Sequence, residues 1–369
     1  MRTRWTIITL LLGLALSVAA CAPTATPTPI PTKAPQALPT KPPAAVSTPA
    51  AATPAPKPAT IKYGVVQSIG DAGVYVAFDK GYFKEQGITL ELNDFRTVAE
   101  MIAPLGTGQL DAMVTPLSVP LLAAADRNVD MKIVAAAGFS LPKWEFSWVM
   151  LRKDLADSGR VKTGADLKGM KVAIPSPGAM GDQITQIILE QGGLKSGDVE
   201  IVVLPFAEQA AAFANKAIAA GWSIEPFVVR SVGEGFSVKW LPSSQFFGGK
   251  VETGVIVFGP AMAKDQDLSR RWMIGYLKGS RDYIKAFTTR EGRDDIVRIL
   301  TKYTTVKDPK LYDLMELPYV DPNGQIDSKS MNAQYKWFVE KGLYTGKKSF
   351  DNLVDLSYQE YAVQRLGKP

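Results

Sequence analysis

Between residues 61 and 258 the sequence alternates short β-branched runs with amphipathic stretches, and that alternation admits few architectures. Residues 61–67 read as a strand, 71–80 as a helix stopped at Gly81, and 88–92 as a second strand. Thr97 and Glu100 have capping-box spacing and predict a helix ending near Gly106. A strand at 112–114, a helix at 119–127 and a strand at 133–137 follow. The pattern then restarts with strands at 148–152 and 171–174, a helix at 182–191, a strand at 200–204, an Ala-rich helix at 208–220 and a strand at 221–224. Beyond a strand at 254–258 the chain turns helical, over 268–287, 293–303, 309–315 and 328–341. Strand–helix–strand punctuation implies an α/β chain with mainly parallel sheets flanked by helices. Two runs of it predict two lobes, one from 61–146 plus 254–369 and the other from 147–253. The chain must pass between them near Ser147 and again over 247–253, which makes a hinge.

Two facing α/β sheets place their strand-end loops around a shared crevice, where such sheets bind ligands. Those loops supply Gln67, Asp71, Asn93, Ser118, Ser176 and Glu225 as hydrogen-bonding candidates, and Tyr75, Phe139, Trp144 and Trp222 as aromatic walls. Each has a plainer reading. Ser118 and Ser176 precede helices and suit N-capping as well as ligand contact. Tyr75 shares an apolar stripe with Val74 and Phe78 and suits the core. Trp144, set between Pro142-Lys143 and Glu145, reads as an exposed stacking surface. Cations in these loops are few: Arg96, Lys143 and Arg230. Carboxylates with aromatic walls repel a sulfonate but accept from a ring N–H, which suits a flat heteroaromatic, either an isoalloxazine or a substituted pyrimidine.

Composition removes most catalytic chemistry. The chain has no histidine and a single cysteine, Cys21, so no Ser-His-Asp or Cys-His arrangement and no zinc site is expected. No catalytic residue, metal or cofactor is predicted; converging Asp71, Asp182 and Glu225 are the one enzymatic arrangement left. The glycine-rich run Gly106–Asp111 precedes a strand, where a phosphate-cradling loop follows one. A formal charge of +6 without a basic run gives nucleic acid no purchase.

The first residues form their own unit. Arg2 and Arg4 precede an uncharged run over 5–20, too short for a span of roughly 20 residues. It ends in Val18-Ala19-Ala20-Cys21, which resembles the bacterial lipobox. Residues 1–20 are therefore expected to be an export signal and Cys21 an acylated membrane anchor. Residues 21–60 then read as a tether, with twelve of the 26 prolines, three lysines and no acids. Such a stretch buries too little apolar surface to order itself, and reaches at most ~120 Å at about 3.1 Å per residue.

Three segments carry a family resemblance: FDKGYFKEQGI at 78–88, EMIAPLGTGQLD at 100–111 and DLKGMKVAI at 166–174. Over roughly 61–340 the chain resembles the nitrate/sulfonate/thiamine-pyrimidine family of ABC-transporter substrate-binding lipoproteins. LPF at 204–206, AFAN at 212–215, EPF at 225–227 and KYTTVK at 302–307 resemble its riboflavin-uptake branch. The resemblance implies a two-lobed, type II periplasmic-binding-protein fold, lipid-anchored on the extracytoplasmic face of the cell membrane. It implies a non-enzymatic receptor that passes riboflavin or a flavin-like vitamin to a permease. A thiamine-precursor pyrimidine, an aliphatic sulfonate or nitrate are the alternative ligands, and a surface sensor is the alternative role.

Overall fold

The computed structural model describes residues 56–369. The expected signal segment, Cys21 and the tether as far as residue 55 lie outside the described residues. In chain order the strands are β1 (Ala59–Val65), β2 (Ile88–Asp94), β3 (Ala112–Thr115), β4 (Lys132–Ser140), β5 (Ser147–Arg152), β6 (Lys171–Ile174), β7 (Glu200–Val203), β8 (Ala220–Ile224), β9 (Ser237–Pro242) and β10 (Val251–Phe258). They form two five-stranded sheets, ordered β2-β1-β3-β10-β4 and β7-β6-β8-β5-β9. The two orders are equivalent. In each sheet the first strand of a strand–helix–strand unit pairs in parallel with two neighbours: β1 with β2 and β3, and β6 with β7 and β8. In each, the strand that the chain enters on crossing from the other sheet runs antiparallel to both its neighbours, β5 in one and β10 in the other.

All eight residues of β10 are buried, and so are eight of nine in β4. Both faces of these strands are covered, so their sequences are continuous apolar runs rather than alternating ones. On one face of the first sheet, the helix Ala72–Asp79 packs against the helix Gln266–Thr288. Their backbones approach so closely that a Cβ on Gly279 would lie 2.2 Å from the Gly73 carbonyl oxygen. Trp272, on the long helix, is fully buried against the rings of Tyr63, Phe83, Phe258 and Tyr276.

The sequence reading departs from the structure in a few places. Thr97 caps nothing: the helix Ala99–Thr107 starts later, and Glu100 reaches back to the Arg96 N–H instead. The Ala-rich helix spans only Phe206–Ala214, because Lys216 turns left-handed (φ 61°) and returns the chain to β8. The expected helix over 309–315 is the shorter 3-10 helix Pro309–Asp313. Strand β9 and the helices Phe227–Gly233 and Ser357–Leu366 carry weak periodicity and were not anticipated.

The chain passes between the sheets over 141–146 and 243–250. A buried carboxylate ties the passages together: Glu145, 3% exposed, accepts from the Ser244 N–H at 3.2 Å and from the Ser244 hydroxyl. Replacing Trp272 with alanine removes a side chain that touches both sheet and helices, and is expected to cost roughly 3–5 kcal/mol. A lowered urea midpoint with an unchanged m-value measures this.

Candidate functional site

The carboxyl ends of the parallel strands in both sheets converge on a cleft with about 60 Å³ of internal space. Val66, Ser68 and Asp71 follow β1, Val114 and Pro116 mark the end of β3, Pro175 and Ser176 follow β6, and Trp222 and Ile224 belong to β8. Phe146, Met101, Met180, Phe206 and Pro318 complete an apolar wall drawn from both sheets. Among the described residues lining it, Asp71 is the one ionisable group, with neither lysine nor arginine beside it.

Trp222 is seated with precision. Its indole Nε1 donates to the Ser243 hydroxyl at 2.9 Å, and Phe206 lies tilted against it at 5.7 Å. A Cβ on Gly181 would come within 2.8 Å of the indole, so only glycine lets the helix Met180–Gln191 approach the ring. The loop before that helix is held by Asp182, whose carboxylate accepts the Gly178 N–H at 2.8 Å. Gly178 (φ 66°) in turn accepts the Val119 N–H through its carbonyl at 2.7 Å, closing the cavity from the other sheet.

Asp71 is 3% exposed and accepts the Tyr63 hydroxyl on one oxygen at 3.0 Å. Burial pushes its carboxyl from 3.8 up to about 7, opposed by that hydroxyl. Glu225 is pushed from 4.5 up to about 7, again by burial, with Lys239 opposing.

Of the residues expected to bind ligand, Asp71, Ser176 and Trp222 meet in the cavity. The others lie outside its lining, each for a physical reason. Tyr75 is fully buried and stacks on Tyr303 at 5.4 Å. Ser118 caps the helix Val119–Asp126 through the Leu121 N–H. Phe139 lies buried under Lys250, and Trp144 packs edge-on against Tyr319 at 5.8 Å rather than facing the cleft. Gln67 is left-handed (φ 52°), and its carbonyl receives the Thr305 N–H. Asn93 turns its amide back to the Glu91 carbonyl at 3.0 Å. Glu225 accepts the Val229 N–H at 2.9 Å and sits 3.6 Å from Lys239, which also bonds Glu316 at 3.0 Å. It is a strut between the two sheets' surroundings, and its backbone carbonyl takes the Ile69 N–H.

Sequence reasoning missed Met101, Phe146, Met180, Phe206 and Pro318. Met180 and Phe206 lie at helix starts just beyond recognised strand ends, a usable signal; Pro318 follows a stretch read as helical and gave none.

A carboxyl raised by burial favours the folded state while protonated. The stability Glu225 lends is therefore full below about pH 4.5 and is lost as pH rises through about 7. Glu225→Gln should flatten that part of the melting-temperature profile, read by thermal denaturation in steps of pH.

Comparison with known proteins accords with this architecture. A binding protein of Brucella abortus is 25% identical over 213 residues, covering 56% of this chain and 61% of that protein. The chain thus spans less than two thirds of such a curated relative's length. The riboflavin-binding protein RibY of Chloroflexus aurantiacus is 27% identical over 251 residues, covering 64% of this chain and 68% of that one. The crystal structure of the periplasmic nitrate-binding protein NrtA from Synechocystis PCC 6803 superposes with a TM-score of 0.71 at 17% identity, covering 85% of this chain and 91% of that one. That likeness is one of fold, the two-lobed periplasmic-binding-protein type. The model of the NMT1-like family matches residues 54–247, more than half of the sequence. The chain belongs to the NMT1-like family.

Proposed function

We propose that this chain is the solute-binding component of an ABC importer, and that its ligand is a flat nitrogen heteroaromatic, riboflavin first among the candidates. The observation that carries this reading is the cavity wall: aromatic and methionine side chains from both sheets, one carboxyl, and no lysine or arginine. Such a wall takes up an apolar ring with a few directed polar contacts. An anion such as nitrate or a sulfonate finds no countercharge in it. RibY, a relative named for riboflavin binding, supports the same choice.

The space in the cleft also constrains the mechanism. At about 60 Å³ it is smaller than the ~150 Å³ hollow that accepts benzene. A three-ring isoalloxazine therefore requires the lobes to part about the passages at 141–146 and 243–250. Ligand docks on one lobe, the other closes over it, and closure is driven by the ligand's greater affinity for the closed form. The closed form is then recognised by the permease, and the ligand leaves unaltered. The cavity's size favours a second reading within the same role, a single-ring substituted pyrimidine that needs less opening. Acylation of Cys21 would hold the receptor at the extracytoplasmic face of the membrane.

A thermal-shift screen of flavins, pyrimidines and sulfonates, with the absorption spectrum of the purified protein, tests the ligand class. Stabilisation by riboflavin with indifference to taurine is expected, and the reverse sinks the reading. Trp222→Ala should weaken riboflavin binding by about tenfold or more, since the ring's burial and stacking exceed about 1.4 kcal/mol. Fluorescence titration reads that loss, whereas Trp144→Ala should leave affinity unchanged. For the anchor, labelled palmitate should enter the wild-type chain in cells and fail to enter Cys21→Ser.

A further inference from the structure

The cavity holds one charged group, and its placement is unusual. Asp71 ends the short turn after β1, where the Ile69 N–H reaches the Glu225 carbonyl of the opposite sheet. One carboxylate oxygen accepts the Tyr63 hydroxyl; among the described residues no donor reaches the other, which keeps access to the cavity instead of being sealed in the core. An oxygen that opens on the cavity and is unclaimed by the protein is free to accept from a ligand donor. The ionisable groups around it offer no cation. They are Tyr63 on β1, Tyr75 on the adjoining helix and Tyr276 on the long helix Gln266–Thr288, each a hydroxyl and each buried.

We propose that Asp71 is the specificity-determining residue for ligand charge: it pairs with an N–H donor or a protonated nitrogen on the ring edge and turns away ligands that present an anion there. This rests on the heteroaromatic reading above and deepens it. The apolar walls recognise the ring, which any flat ligand satisfies; Asp71 discriminates among such rings by what their edge presents. A donor satisfies the free oxygen, and a cation also replaces the missing countercharge. A ring carboxylate instead meets a second negative charge among mainly apolar walls, where repulsion is poorly screened.

Asp71 also makes recognition proton-linked. Its carboxyl sits at about 7 in the unliganded protein, and a donor or cation favours the ionised form. Binding therefore expels a proton, and affinity rises with pH until the carboxyl is ionised in the free protein as well. Between about pH 6 and about pH 8 that amounts to roughly tenfold.

The test is isothermal titration of the mature protein with three probes: riboflavin, 4-aminopyrimidine and the anionic pyrimidine orotate. Wild type should bind one or both of the donor-bearing probes, about tenfold more tightly at the upper end of that pH range, and reject orotate. Asp71→Asn should flatten the pH profile, weaken the donor-bearing probe at least tenfold and improve orotate. Tyr63→Phe removes the hydroxyl that lowers the Asp71 carboxyl, so its profile should keep its shape and move to higher pH. A pH-independent wild-type affinity overturns the assignment even if Asp71→Asn does not fold. So does a folded Asp71→Asn with wild-type selectivity. If wild type binds none of the three probes, the heteroaromatic reading falls first and this inference falls with it. Binding with an unaltered profile defeats the Asp71 assignment alone.

Discussion

The molecule depends on a buried carboxylate that binds one passage between the sheets to the other. Glu145 lies in the first passage and Ser244 in the second, and both donors of the serine, N–H and hydroxyl, are directed at the same carboxylate. The cost of burying an acid is offset only when its oxygens are satisfied, and here Ser244 of the other passage supplies both an N–H and a hydroxyl, with the Ser140 hydroxyl also favouring the charged form. Nearby, Ser140 and Ser147 exchange a hydroxyl bond at 3.1 Å, and Ser140 also takes the Phe146 N–H. The two connections therefore behave as one joint. The positions of the strand ends on either side, and so of the cavity between them, follow from that joint.

The cavity is a consequence of strand polarity. Parallel strands bring their carboxyl ends to one edge, and two sheets placed edge to edge present two sets of loops to each other. The sets differ in character. The first sheet contributes the acid and two hydroxyls, Ser68 and Thr253, whereas the second contributes Phe206, Trp222 and the Ser176 hydroxyl, with Phe146 coming from the passage between them. Acid and aromatic surface thus come from different halves, and the cavity lining is complete only when both are present.

Much of this division was legible in the sequence. Hydrophobic runs bounded by glycine located nine of the ten strands, and searching the loops after strands picked out Asp71, Ser176 and Trp222, which line the cavity. The same rule overreached wherever a loop residue serves the loop itself. Ser118 is consumed by its helix, Asn93 by its own strand, and Tyr75 by a stack with a residue more than two hundred positions away. Glu225 has the composition of a ligand contact, but its carboxylate is taken by Val229 and Lys239. No local pattern reports such distant partners. Pro318 and Thr253 reach the cavity because the chain returns to the first sheet late; the return itself is legible as a strand at 254–258, but nothing local marks which residues near it line the cavity.

That late return bears on how the protein is made. Strand β10 fills the gap between β3 and β4, which cannot pair with each other. Until residue 258 has left the ribosome, the first sheet exists as two fragments with bare apolar borders, while β5 to β9 already suffice for the second. Assembly should therefore begin with the inserted half, and the unfinished half is the natural client of a chaperone that shields exposed strand borders.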